Sequence, residues 1–363
     1  MSNFYTGYGD VITVSDGSGG NGITKEQIKS AMVSAIASGD INLGSNVGAT
    51  VAYISPGAAW ETNANAAYQN LLTAYKEIPN YGVPFFISTD QHGRGMEQHR
   101  WMNNADVDGM EVVSINLGDS TMDVFGTDAV QYLHSRTRML KNFCAVPGNH
   151  DYKYGSEAVS RFVISNSFSS TMNRRMSETD GCSYIVLDNA HNVKFVAVDH
   201  YDDAGTTSGM PHPYINTETA KWIVDELSRN DGYDVVILRH EPLYATSRTR
   251  GETVETANSE NYDAEFWKLL QDRKNKTSGT FVDDDGVSHS YDFSQCDGDL
   301  LCTLHGHTHE ERISTADGLT AYAADWYGRN YRCTFGLIDR LNSKVTFWVF
   351  DSNGCLDPLE LTI

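Results

Sequence analysis

Two histidines one residue apart, His307 and His309, leave the apolar run Leu300-Leu301-Cys302-Thr303-Leu304 within the motif Gly306-His307-Thr308-His309. Two imidazoles leaving a buried strand are costly to desolvate unless they bind something. Four further groups share that setting. Asp90-Gln91-His92 follows Phe85-Phe86-Ile87-Ser88-Thr89, and Gly118-Asp119 follows a run ending at Leu117. Pro147-Gly148-Asn149-His150-Asp151 follows Phe143-Cys144-Ala145-Val146, and His240 ends the run 235–239. In extended backbone, residues i and i+2 point the same way, so Asp90 and His92 can grip one ion. Gly118 permits a tight turn that aims the Asp119 carboxylate. Asn149 can offer an amide oxygen to a metal, and His150 can stand beside a substrate as proton donor. Singly, these groups are weak. A lone DxH is commonly a surface turn, GD says little, GNHD also reads as a helix-capping turn, and His240 as a satisfied core histidine.

Taken together, carboxylate oxygens and imidazoles are the donor set of a two-cation site. The chemistry such a site serves is hydrolysis of phosphate esters, where attacking hydroxide and ester are both negative. Two cations about 3.5–4 Å apart acidify a bridging water, neutralise phosphate oxygens and orient the attack.

Buried strands must position these groups. The runs 83–88, 112–117, 143–146, 194–199, 235–238 and 300–304 are near-continuously apolar, and helices are expected at 62–78 and 217–228. Apolar strands alternating with helices indicate sheets covered on both faces. Each motif sits where such a strand ends, the place where open α/β sheets keep their ligand sites. The segment 346–350 reads as a closing strand.

Residues 1–60 differ in texture. Val11-Ile12-Thr13-Val14 reads as a short strand, Asp16–Gly22 as a flexible connector, and Thr24 with Gln27 as a capping box opening a helix. We read this stretch as an appendage to a catalytic domain at 61–363, either an attachment or oligomerisation element or a strand-and-helix pair packed on that domain. Residues 241–298 form a polar insertion, with an amphipathic helix near 263–272 and a hairpin turning at Asp283-Asp284-Asp285-Gly286. The acidic turn lacks calcium-loop spacing. We expect a cap-like element that roofs the cleft and sets substrate choice.

The chain has 363 residues and a formal net charge of −21. Such a field repels polyanions, which argues against non-specific nucleic-acid binding. Bound cations would still let a phosphate in. No apolar stretch is long enough to span a membrane. Met1–Tyr5 shows no secretion signal, so a cytoplasmic setting is expected, with a phage particle or surface location as the alternative. Six cysteines without a CxxC pair are expected to be buried thiols, with one or two disulfides left open.

The order DxH, GD, GNHD, lone histidine after an apolar strand, GHTH resembles the calcineurin-like metallophosphoesterase family over about residues 83–350. The resemblance implies a four-layer α/β sandwich, two mixed sheets flanked by helices. It implies one metal held by Asp90, His92, Asp119 and His309, and a second by Asp119, Asn149, His240 and His307. The ions would be manganese, iron or zinc. A hydroxide bridging them would attack a phosphomonoester or phosphodiester, with His150 protonating the leaving oxygen or stabilising the transition state. Arg94 is a further candidate, for a phosphate oxygen. Met122 stands where purple acid phosphatases carry a tyrosine, and the run Ser120-Thr121-Met122-Asp123-Val124 lacks the Asp-Arg-Gly of Ser/Thr protein phosphatases. The first departure argues against the purple acid phosphatases, and GHTH and GNHD without the protein-phosphatase signature lean the expected substrate towards small phosphodiesters or nucleotides. The expected alternatives are a phosphoesterase working in a larger assembly through residues 1–60 and a non-catalytic metal-binding relative.

Overall fold

The structure is a computed structural model that describes residues 2–5, 11–14, 57–92, 108–119, 143–151, 174–176, 184–188, 191–201, 213–243, 246–248, 250, 255–256, 263–327 and 330–363. The chain divides into two compact units, Met1–Ala52 and Tyr53–Ile363. In the first, β1 (Ser2–Tyr5) pairs antiparallel with β2 (Val11–Val14). The helix expected from Thr24 and Gln27 lies outside the described residues.

In the second unit the apolar runs fold as strands. These are β3 (Gly82–Ser88), β4 (Val113–Asn116), β5 (Phe143–Ala145), β6 (Arg174–Met176), β7 (Tyr184–Asp188), β8 (Val193–Ala197) and β9 (Asp234–Leu238). Two short strands, β10 (Thr246–Ser247) and β11 (Glu255–Thr256), pair with each other, as do β12 (Ser278–Val282) and β13 (Ser288–Asp292). The remainder are β14 (Leu300–His305), β15 (Arg312–Ser314), β16 (Thr320–Ala323), β17 (Cys333–Asp339), β18 (Lys344–Phe350) and β19 (Leu359–Thr362). Three helices accompany them: α1 (Ala58–Glu77), α2 (Thr217–Leu227) and α3 (Ala264–Asn275).

Two mixed sheets result. One runs β19-β18-β17-β3-β4-β5 and the other β15-β16-β14-β9-β8-β7-β6. Within them β3, β4 and β5 are parallel, and so are β8, β9, β14 and β16. Alternate residues face opposite sides of a strand. Val83, Phe85 and Ile87 therefore pack with Val113, Ile115, Phe195, Val236 and Leu304 in a core shared by both sheets. Phe86 points the other way, to Trp60, Tyr68 and Leu71 of α1. On the far side Val196, Val235 and Ile237 meet Ile223 and Leu227 of α2 and Phe266 and Leu270 of α3. The order is helix, sheet, sheet, helices: four layers.

Capping ties the outer helices to this frame. Asn216 Oδ1 accepts the Thr219 N–H at 2.9 Å, and Asp263 Oδ1 accepts the Phe266 N–H at 2.9 Å. Asp263 Oδ2 also takes Arg239 Nη1 at 3.0 Å, so the start of α3 is pinned to the residue before His240.

One expectation changes here. Helix α3 and the β12–β13 hairpin do not roof the strand ends. Phe266, Leu269, Phe281, Tyr291 and Phe293 pack against the outer face of the second sheet, and α3 is the crossover between the parallel strands β9 and β14. The acidic turn is held by protein: Asp283 Oδ1 accepts the Val287 N–H, Asp284 Oδ2 the Ile215 N–H, and Asp285 Oδ1 the Tyr214 hydroxyl. Cys144, Cys296, Cys302 and Cys333 are buried free thiols as expected, Cys355 is a free thiol that is exposed instead, and Cys182 lies outside the described residues.

Helix α1 begins at Ala58, and Trp60 belongs to the large unit's core. Its ring lies 5.4 Å from that of Phe350, and Nε1–H donates to the Tyr331 carbonyl at 2.6 Å. Trp60→Ala should cost about 3–5 kcal/mol in urea unfolding, because it leaves a cavity and orphans a carbonyl. A shift under about 1 kcal/mol would show that the helix is not clamped there.

Candidate metal centre

The site lies where the parallel strands of both sheets end. Strand β3 runs out into Asp90 and His92, β4 into Asp119, and β5 into a short 3₁₀ turn, Asn149–Asp151. From the other sheet β9 delivers His240, and β14 delivers His307 and His309. Side chains on five turns thus meet above the shared core.

The turns are tightly bonded to one another. Asp90 N–H donates to the Gly118 carbonyl at 3.0 Å, and His92 N–H to the Asp119 carbonyl at 2.9 Å. Gly306 N–H donates to the His240 carbonyl at 2.9 Å, and His307 N–H to Asp90 Oδ2 at 3.0 Å. Asp90 Oδ2 also accepts the Thr89 hydroxyl at 2.7 Å, and Asp119 Oδ1 accepts the His150 N–H at 2.8 Å. Gly118 has φ +98°, and a Cβ there would fall 2.3 Å from His240 Nδ1. At Gly306 a Cβ would fall 2.1 Å from Thr89 Oγ1. Only glycine lets these turns close on their neighbours.

Five of the expected ligands, Asp90, His92, Asp119, His307 and His309, have φ between +47° and +68°. Non-glycine residues rarely adopt that conformation, and its clustering marks a functional site.

Donor atoms of Asp90, His92, Asp119 and His309 lie within 4.8 Å of one another, and so do those of Asp119, His240 and His307. Asp119 belongs to both groups. Within the first, His309 Nε2 is 3.1 Å from Asp90 Oδ1 and 3.3 Å from His92 Nε2. Within the second, His240 Nδ1–H donates to the Leu117 carbonyl at 2.6 Å, which turns Nε2 inward. That Nε2 lies 3.4 Å from Asp119 Oδ2, 3.2 Å from Asn149 Oδ1 and 3.2 Å from His307 Nδ1. The His150 ring stands edge-on to His92 at 4.8 Å, half-buried at the rim of the first group.

The electrostatics fit a place for cations. Burial opposes charge on Asp119, but the adjoining His240 ring and its hydrogen bond hold the carboxyl well below the usual range. Burial opposes charge on His240 too, but Asp119, followed by Asp90, keeps the ring protonated well above its ordinary value. Asp90 Oδ1 is buried without a well-directed hydrogen-bond donor, as is His92 Nδ1. Hard oxygens and borderline nitrogens held this close, with orphaned lone pairs, suit divalent or trivalent ions.

The structure brings together Asp90, His92, Asp119, Asn149, His150, His240, His307 and His309. Arg94, Met122 and Asp123 lie outside the described residues. His305 is buried at the end of β14, its ring against Thr303 and the Glu241 carbonyl, and burial pushes it down to about 3. His200 is fully buried too. The sequence reading missed Trp326, which stacks on His309 with centroids 4.8 Å apart and planes at 21°. An aromatic just past β16, a strand parallel to β14, was the available signal.

Five motifs at the ends of parallel strands in two facing sheets, with helices outside both, decide the architecture. The fold is the four-layer α/β sandwich expected from the sequence, two mixed sheets flanked by helices. Similar solved structures include the calcineurin-like phosphoesterase YfkN from Bacillus subtilis, at 12% identity over 78% of this chain and 91% of that one, TM-score 0.38. They also include a 5'-nucleotidase from Candida albicans, at 15% identity over 75% of this chain and 51% of that one, TM-score 0.43. A third is GAP50, the anchor in the inner membrane complex of Plasmodium, at 8% identity over 78% of this chain and 89% of that one, TM-score 0.43. This chain spans about half the length of the 5'-nucleotidases it matches. No protein-family model matches the sequence, and no curated protein matches it. Among the described residues, no helix is long and apolar enough to cross a membrane.

Because Asp119 stands in both groups, Asp119→Ala should abolish tight manganese uptake at both positions, while Asn149→Ala should weaken one alone. Metal titration by calorimetry reads this directly. An Asp119→Ala protein that keeps one ion at wild-type affinity would refute the shared role.

Proposed function

We propose that this chain is a calcineurin-like metallophosphoesterase that hydrolyses a small phosphate ester, a phosphodiester or nucleotide in preference to a phosphoprotein. The supporting observation is the pair of donor groups joined by Asp119. Asp90, His92, Asp119 and His309 would hold one ion, and Asp119, Asn149, His240 and His307 the other. Manganese, iron and zinc all suit this donor set. When bound, the ions would supply an activated water and Lewis-acid stabilisation of the phosphate oxygens.

The chain's own residues do the rest. Leu117 holds the His240 ring with Nε2 inward, and Thr89 and the His307 N–H hold the Asp90 carboxylate. Hydrogen bonds between turns from both sheets fix the donors before substrate arrives, so little reorganisation is left for the reaction. His150 is tied through its backbone to Asp119, while its ring stands at the rim next to His92. From there it can donate a proton to the leaving oxygen or a hydrogen bond to the phosphate. Asp151 Oδ2 closes that turn by accepting the Gly148 N–H at 2.8 Å, so it orients His150 through the backbone.

The test is a panel of phosphomonoesters, phosphodiesters and nucleotides, assayed across a metal titration. Metal-dependent turnover of at least one diester or nucleotide is expected, and no turnover with any ester or metal would reject the proposal. In His150→Ala, bound metal should be unchanged and kcat should fall by roughly 10²–10⁴-fold. Equal loss of metal and of turnover would place His150 among the ligands instead.

A further inference from the structure

His240 has an orienting hydrogen bond on its outer nitrogen, the usual device that fixes a metal-binding imidazole. Among the described residues, the rings of the other cation group have no such bond. His92 Nδ1 is buried with no hydrogen-bond partner. The described polar contacts of His309, to Asp90 Oδ1 and His92 Nε2, both use Nε2, and its side chain is 39% exposed. An exposed imidazole on a left-handed residue (φ +54°) has rotamer freedom that would weaken its grip on an ion.

Trp326 supplies a different constraint. Its indole lies flat on the His309 ring at 4.8 Å and edge-on to the His92 ring at 6.0 Å. Both rings belong to the Asp90, His92, Asp119 and His309 group, and no described ring contact links Trp326 to His240 or His307.

The segment bearing Trp326 is tied to the same two strands that carry these ligands. Ala324 N–H donates to the His305 carbonyl at 2.8 Å, and Tyr327 N–H to the Thr89 carbonyl at 3.2 Å. Trp326 N–H donates to Asp325 Oδ1 at 2.7 Å, and Asp325 is held in turn by Arg332, which also meets Asp351 at 2.8 Å. The backbone that carries the indole is therefore held on both sides of Trp326.

Resting on the binuclear reading above, we propose that Trp326 is a positioning residue that orients His309 and His92 by ring packing, and so sets the affinity of the first cation position selectively. An indole face also favours a ring that becomes electron-poor on binding a cation, as in cation–π contacts. The packing thus grows stronger in the loaded state, and the preference for holding an ion grows with it.

The experiment is calorimetric titration of the metal-stripped full chain with manganese, for wild type and for Trp326→Ala, Trp326→Leu and Trp326→Phe, with circular dichroism to confirm folding. Wild type should take up two ions. In Trp326→Ala and Trp326→Leu one ion should bind about 10–100-fold more weakly while the other keeps its affinity. Trp326→Phe restores a flat ring and should recover most of the loss. Unchanged affinity for both ions in the Ala and Leu variants would overturn the proposal, as would an equal loss at both positions or full rescue by Leu. A wild-type chain that takes up no manganese would instead overturn the metal reading, an outcome visible before any variant is compared.

Discussion

Nitrogen faces nitrogen twice in the centre of this molecule. His92 and His309 approach to 3.3 Å through their Nε2 atoms, and His307 Nδ1 comes within 3.2 Å of His240 Nε2. Two imidazole nitrogens at that range either share a proton or turn lone pairs on each other. The carboxylates of Asp90 and Asp119 are almost wholly buried beside them. A fold tolerates such a cluster only if its walls cannot relax. Backbone hydrogen bonds between turns of opposite sheets provide that rigidity, and the core beneath is built from both sheets at once. Holding donors together in advance is also what a binding site for cations requires.

The backbone carries a cost for this. Each non-glycine residue in the left-handed region costs on the order of 1–3 kcal/mol, and five of the seven expected ligands are there. A strand that ended in an ordinary turn would send the next side chain along the sheet. With φ positive, Asp90, Asp119 and His307 turn back over the strand ends, towards the gap between the sheets. The packing that offsets this strain is spread over all four layers, and Trp60 and Phe266, far from the chemistry, contribute to it.

Much of this was legible in the residues. Near-continuous apolar runs located β3, β4, β5, β8, β9 and β14 to within a residue or two, and each motif sat at a strand end as expected. Burial on both faces makes such strands conspicuous. The position of α3 and the β12–β13 hairpin, on the outer face of a sheet and not over the strand ends, escaped the sequence for a definite reason. The periodicity of α3 shows that one face is apolar but not which surface it covers, and Phe266 and Leu270 look the same under a lid or against a sheet. Trp326 was missed because its partners, His309 and His92, are 17 and 234 residues away, and no local pattern marks a ring that packs on a ligand. The Arg332 link between Asp325 and Asp351 is equally non-local.

The chain's acidity sharpens the case. At a formal net charge of −21 it has few cations to spare, yet it uses them to balance carboxylates away from the site. Glu226 meets Lys194, Glu311 meets Arg250, Asp263 meets Arg239, Asp234 meets Arg340, and Asp325 and Asp351 share Arg332. Among the described residues, Asp90 and Asp119 pair with imidazoles alone. Two carboxylates deep in a low-dielectric centre without lysine or arginine are short of positive charge. Two divalent ions would bring about four positive charges against those two negative ones, inverting the local potential. That surplus is what would draw a phosphate ester into a protein whose overall field repels it.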